Sequence, residues 1–358
     1  MSRFLMIDIG AGTMDLLCYD DRDGGHSKAV AVSPVRQMAD AVRRLDGPIV
    51  FTGGEMGGGA VTAAIAEKAA RGEVLMTPDA AETVHHNPDR VRQMGINIIP
   101  EAQVAESAGR KEATLLELGD IQHRRLRDLV AGLGEKWAFD VVAICAQDHG
   151  RPPAGVSHLD FRHQLHRQRL DRSPRPEACL YRADEVPPAF NRLGTIAAEA
   201  AQLPAERVYV MDSGMAAILG ASLDPVVEND PVRMVLDVAT SHTVAAVLEQ
   251  DDIAAFFEYH THDVTRESLE RLLPELAGGR LAHERVLAEG GHGAYLRRTV
   301  GFDRVKRIVA TGPQRLRLLG SRMPVVWGAP LGDNMMTGTV GLLEAVRRRE
   351  GRPPRSYI

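Results

Sequence analysis

Two apolar runs separated by a short turn open the chain, and this stretch limits the possible folds more than any other. The first run reaches Asp8, the turn Gly10-Ala11-Gly12-Thr13 follows, and a second run begins after Asp15. Two apolar segments of strand length joined by a short glycine-containing loop predict a β-hairpin. The unusual feature of this hairpin is the chemistry of its turn.

The residues of the turn suit a bound phosphate. Gly10 and Gly12 have no Cβ, so backbone N–H groups there can approach an anion closely and form a nest. Thr13 adds a hydroxyl donor, and Asp8 at the strand end is placed to hold a hydrated Mg²⁺ against phosphates. The alternative is a plain hairpin turn that uses glycines for geometry. The sequence contains no Walker motif GxxxxGK[ST].

The stretch resembles the first phosphate-binding segment of the actin, Hsp70 and sugar-kinase superfamily, whose pattern is apolar-Asp-x-Gly-x-Gly-Thr-x-Asp. Asp8, Gly10, Gly12, Thr13 and Asp15 are the matching residues. The resemblance implies an α/β fold of two actin-like ATPase (ribonuclease H-like) domains with a nucleotide cleft between them. It also implies a second segment of the same kind halfway along the chain.

A second strand, turn and strand does occupy residues 233–248 and repeats the opening design. Its first strand ends in Asp237, and alanine and serine stand where glycines are expected. We interpret His242 as an insertion before Thr243. Because alanine at a positive φ costs on the order of 1 kcal/mol, either the turn has a different shape or its phosphate contact is weaker. His242 either orients a water or stabilises charge beside a γ-phosphate, or is satisfied by the backbone.

Two further aspartates follow predicted buried strands. Gln147, Asp148 and His149 come directly after one apolar run, and Asp212 ends another. Ligands usually bind outside the carboxyl ends of strands in open α/β sheets. Asp148 or Asp212 is therefore a candidate general base toward a water or an acceptor hydroxyl, and a structural turn is the alternative.

Two glycine-containing turns in other parts of the chain are also candidates for ligand contact. Residues 53–59 include five glycines between a predicted strand and a helix, which favours either an anion site or a closely packed turn. Gly312 stands where the superfamily usually keeps a Gly-Gly pair under the adenosine. Pro313 follows it and removes an N–H, so nucleotide stacking is expected while recognition of the base or ribose stays open.

The remaining histidines do not form a metal set in the sequence. His158, His163 and His166 lie in a Pro-rich segment that we expect to be an exposed loop or lid, because no cysteine or carboxylate completes a ligand set. His260 and His262 alternate on one strand and favour packing over metal binding. Residues 116–135 are predicted to be largely helical.

Length and composition limit the remaining possibilities. The 358 residues suffice for two domains: an N-terminal actin-like domain at 1–205 with a Pro-rich insertion at about 151–188, and a C-terminal one at 206–358 whose last helix packs back. The formal charge of −5, without an early basic block, argues against nucleic acid as a partner. No apolar stretch approaches 18 residues and no signal sequence is present, so we expect a cytoplasmic protein without membrane contact.

Within the superfamily the chain resembles a prokaryotic family labelled pyruvate formate-lyase activating enzyme. The matching stretches are 56–59, 146–150, 211–214, 241–243 and 257–261. A radical-SAM activase of the usual kind needs CxxxCxxC to hold a [4Fe–4S] cluster, whereas this chain has three isolated cysteines at 18, 145 and 179. We therefore reject that activity.

The resemblance implies that ATP and Mg²⁺ bind in the interdomain cleft, with hydrolysis or phosphoryl transfer to a small-molecule or protein acceptor. The expected phosphate and nucleotide contacts are Gly10, Gly12 and Thr13 from one side, and Ser241, Thr243 and Gly312 from the other. Asp8 and Asp237 would hold the hydrated metal ion. Two alternatives stay open: an inactive interaction protein, gated by nucleotide or free of it, and a small-molecule kinase with its substrate near Asp148.

Overall fold

The computed structural model of the chain describes residues 2–153, 155–353 and 355–357, without the side chains at 110 and 111. Positions 1, 154, 354 and 358 of the expected domains therefore lie outside the described residues. The described chain forms two six-stranded sheets and one four-stranded sheet, with helices packed against them. The predicted α/β class is confirmed.

The elements are numbered along the chain. The strands are β1 (Arg3–Ile9), β2 (Thr13–Asp20), β3 (His26–Val32), β4 (Ile49–Gly53), β5 (Val74–Met76), β6 (Ile96–Ile98), β7 (Thr114–Leu118), β8 (Phe139–Ala146), β9 (Leu180–Arg182), β10 (Ala205–Asp212), β11 (Val232–Val238), β12 (His242–Glu249), β13 (Asp252–His260), β14 (Gly293–Leu296), β15 (Ile308–Thr311) and β16 (Val325–Trp327). The α-helices are α1 (Pro34–Arg44), α2 (Ala60–Ala69), α3 (Pro78–Ala81), α4 (Pro88–Gln93), α5 (Val104–Lys111), α6 (His123–Gly132), α7 (His158–Arg172), α8 (Asn191–Ala200), α9 (Ser213–Ser222), α10 (Arg266–Ala277), α11 (His283–Ala288) and α12 (Thr337–Arg349). Short 3₁₀ helices lie at Glu101–Gln103, Pro176–Cys179, Ala183–Glu185, Thr261–Asp263, Phe302–Arg304, Arg315–Leu318, Pro330–Gly332 and Asn334–Met336.

The two six-stranded sheets share a core of five strands with the same topology, and the sixth strand lies at opposite edges, as β9 in one and β14 in the other. The first has the order β3-β2-β1-β8-β10-β9 and the second the order β14-β13-β12-β11-β15-β16. In each, three consecutive strands form an antiparallel meander, and the first of them pairs with a later strand in parallel. A further parallel strand follows, β10 in one sheet and β16 in the other. The internal repeat and the fold class of two actin-like domains are therefore confirmed by the strand order.

The chain passes from the first sheet to the second through α9. Strand β10 pairs with β8, so it belongs to the first sheet, although the sequence-based boundary lies at its first residues. The division into domains at 205 and 206 stays a proposal, and β10 as a whole pairs within the first sheet. Because α9 contacts strands of both sheets and α12 contacts α9, β1 and β8, these two helices lie where the halves meet.

One hydrophobic cluster joins the two halves. It contains Met6 of the first sheet, Val235 and Val309 of the second, Ile218 of α9 and Leu343 of α12, all of them buried. Burial of such side chains contributes roughly 1.5–3 kcal/mol each. Within the described residues, no helix has the length and apolar character needed to cross a membrane.

The third sheet is an addition that the sequence did not indicate as a unit. Its four strands are all parallel, in the order β6-β5-β4-β7, and they lie between β3 and β8 in the chain. Ser33 begins this segment by accepting a hydrogen bond from the Val35 N–H at the start of α1. The glycine-rich stretch after β4 belongs to this part of the molecule.

Two predicted segments differ from the structure. The expected exposed loop contains α7, a 15-residue helix that follows its N-cap Ser157 and buries Arg162, His163, His166 and Leu170. Three of these four buried residues are polar, so apolar periodicity gives only a weak signal for the helix. The expected helix over 116–135 begins as β7 and becomes helical only at His123.

Candidate functional site

A cleft of about 850 Å³ lies between the two six-stranded sheets and the four-stranded part. A cavity of this size accommodates a nucleotide-sized ligand. Both hairpin turns contribute to its wall, as do the glycine-rich stretch after β4, the turn after β15 and the start of α12. The lining residues include Asp8, Gly10, Gly12, Thr13, Gly57, Gly58, Asp237, Ser241, His242, Gly312, Asn334 and Thr337.

The two hairpin turns have the same length and the same closing hydrogen bond. The Gly10 N–H donates to the Thr13 carbonyl at 2.9 Å, and the Ala239 N–H donates to the His242 carbonyl at 3.1 Å. His242 is therefore the counterpart of Thr13, and the interpretation of His242 as an insertion is wrong. Among the described residues with positive φ, none lies in either turn. The alanine and serine of the second turn consequently carry no backbone strain.

The turns approach each other closely across the cleft. A Cβ added at Gly12 would lie 2.9 Å from the side-chain methyl and hydroxyl of Thr240. Since real Cβ atoms do not approach heavy atoms this closely, only glycine fits at position 12 in this arrangement. The two phosphate-binding candidates thus face one another in a closed geometry.

Asp8 and Asp237 occupy equivalent positions. Each is the sixth residue of a seven-residue strand, β1 or β11, and each lines the cleft. Burial raises the pKa of Asp8 to about 7, and the Asp237 charge adds to this effect. Burial also raises the pKa of Asp237 to about 6, although the Thr311 hydroxyl donates to its Oδ1 at 2.7 Å.

Asp15 adds a third carboxyl group to this end of the cleft. It pairs with Asp8 in the hairpin register, and burial together with the Asp8 charge raises its pKa to about 8. Its Oδ1 is buried and has no hydrogen-bond partner among the described residues. A cation near these oxygens would favour their charged forms, and carboxylate oxygens are the donors that Mg²⁺ prefers.

Asp148 and Asp212 lie behind the cleft wall. Asp148 accepts hydrogen bonds from the Gly150 N–H at 2.7 Å and the Leu193 N–H at 2.9 Å. Asp212 caps α9 through the Met215 N–H at 3.1 Å and accepts from Arg162 at 2.8 Å. Both carboxyl groups are buried, and both accept hydrogen bonds from other groups of the protein. Their geometry therefore supports structural roles and gives the predicted general base no access to a ligand.

Most of the other residues predicted to contact phosphate or nucleotide line the cleft, and Thr243 does not. Gly10, Thr13, Ser241 and Gly312 line the cleft. Thr243 does not, because it is fully buried and its hydroxyl lies 3.0 Å from the hydroxyl of Thr261. Thr243 corresponds to a buried position of the first hairpin. Because side chains alternate along a strand, its side chain points away from the cleft.

Sequence reasoning missed a polar group at the glycine-rich end of the cleft. Asn191 donates to Glu55 Oε2 at 2.6 Å and also contacts Glu82, while His86 Nε2 lies 3.1 Å from Glu55 Oε1. Glu82 further pairs with Arg151 at 2.8 Å. No short motif links these residues, because they come from four separate parts of the chain.

A cluster of three histidines forms another part of the wall. One ring nitrogen from each of His149, His242 and His292 lies within 4.8 Å of the others, and this is the one such group of metal-ligand atoms found among the described residues. Burial lowers the pKa of His242 and of His292 to about 4, and lowers that of His149 well below its ordinary value. His292 follows α11 in a glycine-containing loop, where sequence analysis offered no signal for it.

The repeated sheet topology, the connecting helix and the cleft between paired turns define a two-domain protein of the actin-like ATPase fold. Within that class, the chain belongs to the family described as "Putative pyruvate format-lyase activating enzyme (DUF1786)", whose model matches residues 56–317. The three cysteines are buried and unpaired, and none of them belongs to the group of ligand atoms found in the described chain. These cysteines therefore do not form the ligand set that a [4Fe–4S] cluster of an activating enzyme needs.

Solved structures also match the chain, and three of them have the following identity, coverage and TM-score. The ethanolamine utilization protein EutJ from Carboxydothermus hydrogenoformans is 12% identical, with 94% of this chain and 88% of that chain covered and a TM-score of 0.33. ROK hexokinase from Thermus thermophilus is 12% identical, with 98% and 99% covered and a TM-score of 0.33. A chain of the PilM–PilN type IV pilus biogenesis complex is 13% identical, with 98% of each chain covered and a TM-score of 0.40. No curated protein matches the chain in sequence.

Proposed function

We propose that the chain binds ATP with Mg²⁺ in the cleft and hydrolyses it or transfers its terminal phosphoryl group. The observation that carries this proposal is the equivalence of the two hairpins. Two turns of the same length and hydrogen bonding, one from each sheet, face each other with Asp8 and Asp237 at matching strand positions. Such a paired arrangement suits a chain of phosphates held from both sides.

The phosphate contacts in this proposal come from the turns themselves. Thr13 and Ser241 supply hydroxyl donors at the cleft wall, and backbone N–H groups of small residues form an anion-binding concavity. Gly12 keeps the two turns close together. His242 takes the place of Thr13 in the second turn, so the hydroxyl of this turn comes from Ser241.

Asp8 and Asp237 would hold the metal ion in its hydrated form. No set of three carboxylate oxygens comes close enough in the described chain for direct shared coordination, so water molecules fill the distance in this proposal. Mg²⁺ keeps several waters in most phosphate sites, and its charge neutralises the phosphates. The unpartnered Oδ1 of Asp15 is a further acceptor for such a water.

Phosphoryl transfer to a small molecule is a second candidate reaction. Glu55, Glu82 and Asn191 line or flank the end of the cleft formed by the glycine-rich stretch. Carboxylates and an amide in a fixed arrangement are groups that bind and orient hydroxyls of an acceptor. Turnover of ATP that requires an added hydroxylated metabolite would favour this reaction over simple hydrolysis.

Calorimetric titration with ATP, with and without Mg²⁺, tests the proposed function. We expect binding that depends on Mg²⁺ in the wild-type protein and is lost in Asp8→Ala, because the metal-holding carboxylate is gone. Asp89→Ala is the matched control, since Asp89 is exposed on α4 and its carboxylate pairs with Arg92 in the same helix turn. Absence of binding at millimolar ATP, or unchanged Mg²⁺-dependent binding by Asp8→Ala, would contradict the proposal.

A further inference from the structure

The histidine cluster, His149, His242 and His292, brings three ring nitrogens together from three separate elements. His149 follows β8, His242 begins β12, and His292 precedes β14. One ligand atom from each lies within 4.8 Å of the other two. We propose that these three histidines bind one divalent transition-metal ion of the zinc class at the wall of the cleft, a site separate from the Mg²⁺ position at the aspartates.

The ring nitrogens aimed at this point are free to act as ligands. The Nδ1 of His242 lies 2.8 Å from the Ser241 hydroxyl, which fixes the ring and leaves Nε2 as the nitrogen available to a metal ion. That Nε2 is buried without a hydrogen-bond partner among the described residues, and so is the Nδ1 of His292. A buried polar atom without a partner costs about 1–3 kcal/mol, and a bound ion removes this cost at both rings.

The surroundings favour neutral rings and tolerate a cation. Neutral imidazole is the form that binds metals, and the burial of these rings disfavours their protonation. The charged groups nearest to them are Glu258 and Arg162, which form a buried pair, and Gln147 donates to Glu258 Oε1 at 2.6 Å. The Glu258 carbonyl also accepts the His292 N–H at 2.8 Å, so this strand fixes the third ligand.

The cluster has the form of a metal site that keeps an open position. His149 and His242 line the cleft and are partly exposed, whereas His292 is buried behind them. Three protein ligands with one position left for water or substrate are typical of catalytic zinc sites, while structural sites are closed by four ligands. The open position faces the cleft, where an oxygen atom of a bound ligand would complete the coordination.

The choice of ion follows from the ligand type. Imidazole suits Zn²⁺, Cu²⁺, Fe²⁺ and Ni²⁺, whereas Mg²⁺ takes oxygen ligands. The two proposed metal positions therefore differ in chemistry, with carboxylates at Asp8 and Asp237 and imidazoles at the cluster. His260 lies beside the cluster, its ring centroid 4.8 Å from that of His242 and 4.4 Å from that of His292, and it is placed to support these rings.

Metal titration of the full chain after treatment with a chelator tests this inference. We expect one Zn²⁺ per chain, competed by Co²⁺ with visible absorption of the bound ion, and no competition by Mg²⁺. His292→Ala should weaken Zn²⁺ binding by at least about 100-fold, because removal of a ligand costs more than removal of a supporting residue. His149→Ala removes a different ligand and should weaken Zn²⁺ binding to the same extent.

The matched control is His262→Ala. The side chain of His262 is 76% exposed, so this variant should bind Zn²⁺ as the wild type does. Circular dichroism of each variant verifies the fold. If wild-type protein fails to bind Zn²⁺ or Co²⁺, or if folded His292→Ala and His149→Ala bind Zn²⁺ normally, the inference is overturned. Asp8→Ala separates the two proposals, since it should lose Mg²⁺-dependent ATP binding and keep Zn²⁺ binding.

Discussion

The carboxyl group of Asp8 is costly to bury, and this cost should be measurable as a dependence of stability on pH. Its pKa rises from 3.8 to about 7 on folding, chiefly through burial. Between these values the folded protein holds a proton that the unfolded chain has released. The free energy of unfolding therefore falls as pH rises through this range. Asp8→Asn removes the ionisable group while keeping the shape.

We expect Asp8→Asn to match the wild type near pH 4 and to melt a few degrees higher at pH 8 in the absence of nucleotide and metal. With Mg²⁺ and ATP the order should reverse, because ligand binding stabilises only a protein that retains the carboxylate. Thermal unfolding at several pH values measures both effects. Asp89→Asn, an exposed change, should leave the profile unaltered. Parallel wild-type and Asp8→Asn profiles would show that burial of Asp8 carries no such cost.

At the scale of single residues, sequence reasoning located the turns better than the roles of their neighbours. Asp8, Gly10 and Gly12 belong to one contiguous motif, and the cleft does contain them. Asp148 has the same position after a strand as a binding residue would have, yet two backbone N–H groups occupy its carboxylate. One of these N–H groups belongs to Leu193 of α8, which is distant in the chain. His292 was missed because its cluster exists only after three elements have met.

Among the helices, α9 and α12 cross at unusually short range, and their glycines permit it. A Cβ at Gly341 would lie 1.8 Å from the carbonyl oxygen of Ala216, and a Cβ at Gly220 would lie 1.9 Å from that of Thr337. These contacts involve rigid backbone on both sides. The crossing fixes the helix that connects the two sheets against the helix that returns to the first sheet.

Gly341→Ala should lower the free energy of unfolding by roughly 1–3 kcal/mol or more, because overpacking forces the helices apart. Gly194→Ala is the matched control: Gly194 lies inside α8 and a Cβ there meets nothing within 4 Å. That change should stabilise the protein by about 0.4–1 kcal/mol, since alanine loses less entropy in a helix. Urea unfolding of both variants measures the difference. Equal stabilities would mean that the crossing is not tight in solution.

At the scale of elements, repeated apolar strands were predictable and polar helices were not. Both hairpins follow from apolar runs of strand length, and the structure contains them as β1–β2 and β11–β12. Helix α7 buries an arginine and two histidines beside a single leucine, so its inward face carries no continuous apolar stripe. The signal that remained was its start, where the Ser157 hydroxyl accepts from the Asp160 N–H. The four-stranded sheet was not predicted as a unit, because its fourth strand, β7, overlaps the segment that was predicted to be helical.

At the scale of the whole molecule, one buried arginine ties the two halves together. Arg162 on α7 pairs with Asp212 at the end of β10 at 2.8 Å and with Glu258 on β13. All three side chains are at most 7% exposed. Although burial opposes it, Arg162 holds the pKa of Glu258 well below its ordinary value. These two buried ion pairs, the Arg162 link, thus connect the first sheet to the second.

Removal of this arginine should destabilise the chain strongly and should reverse the pH dependence of the link. Arg162→Ala leaves two buried carboxylates unpaired, which costs about 3–5 kcal/mol. In the wild type, the pairing of Glu258 contributes stability above its ordinary pKa that is lost only as pH falls well below it. In the variant, burial without a partner raises the pKa of Glu258, so stability should fall as pH rises from 5 to 8.

Urea unfolding at pH 5 and pH 8, followed by tryptophan fluorescence, measures this prediction because Trp137 lies just before β8 of the first sheet and Trp327 ends β16 of the second. The control is Arg175→Ala, which breaks an exposed pair with Asp252 of the second sheet at 3.7 Å. Exposed pairs contribute about 0–1 kcal/mol, so this variant should unfold with the wild type at both pH values. Equal losses in the two variants would place the coupling of the halves in the shared apolar cluster of α9 and α12 and not in the Arg162 link.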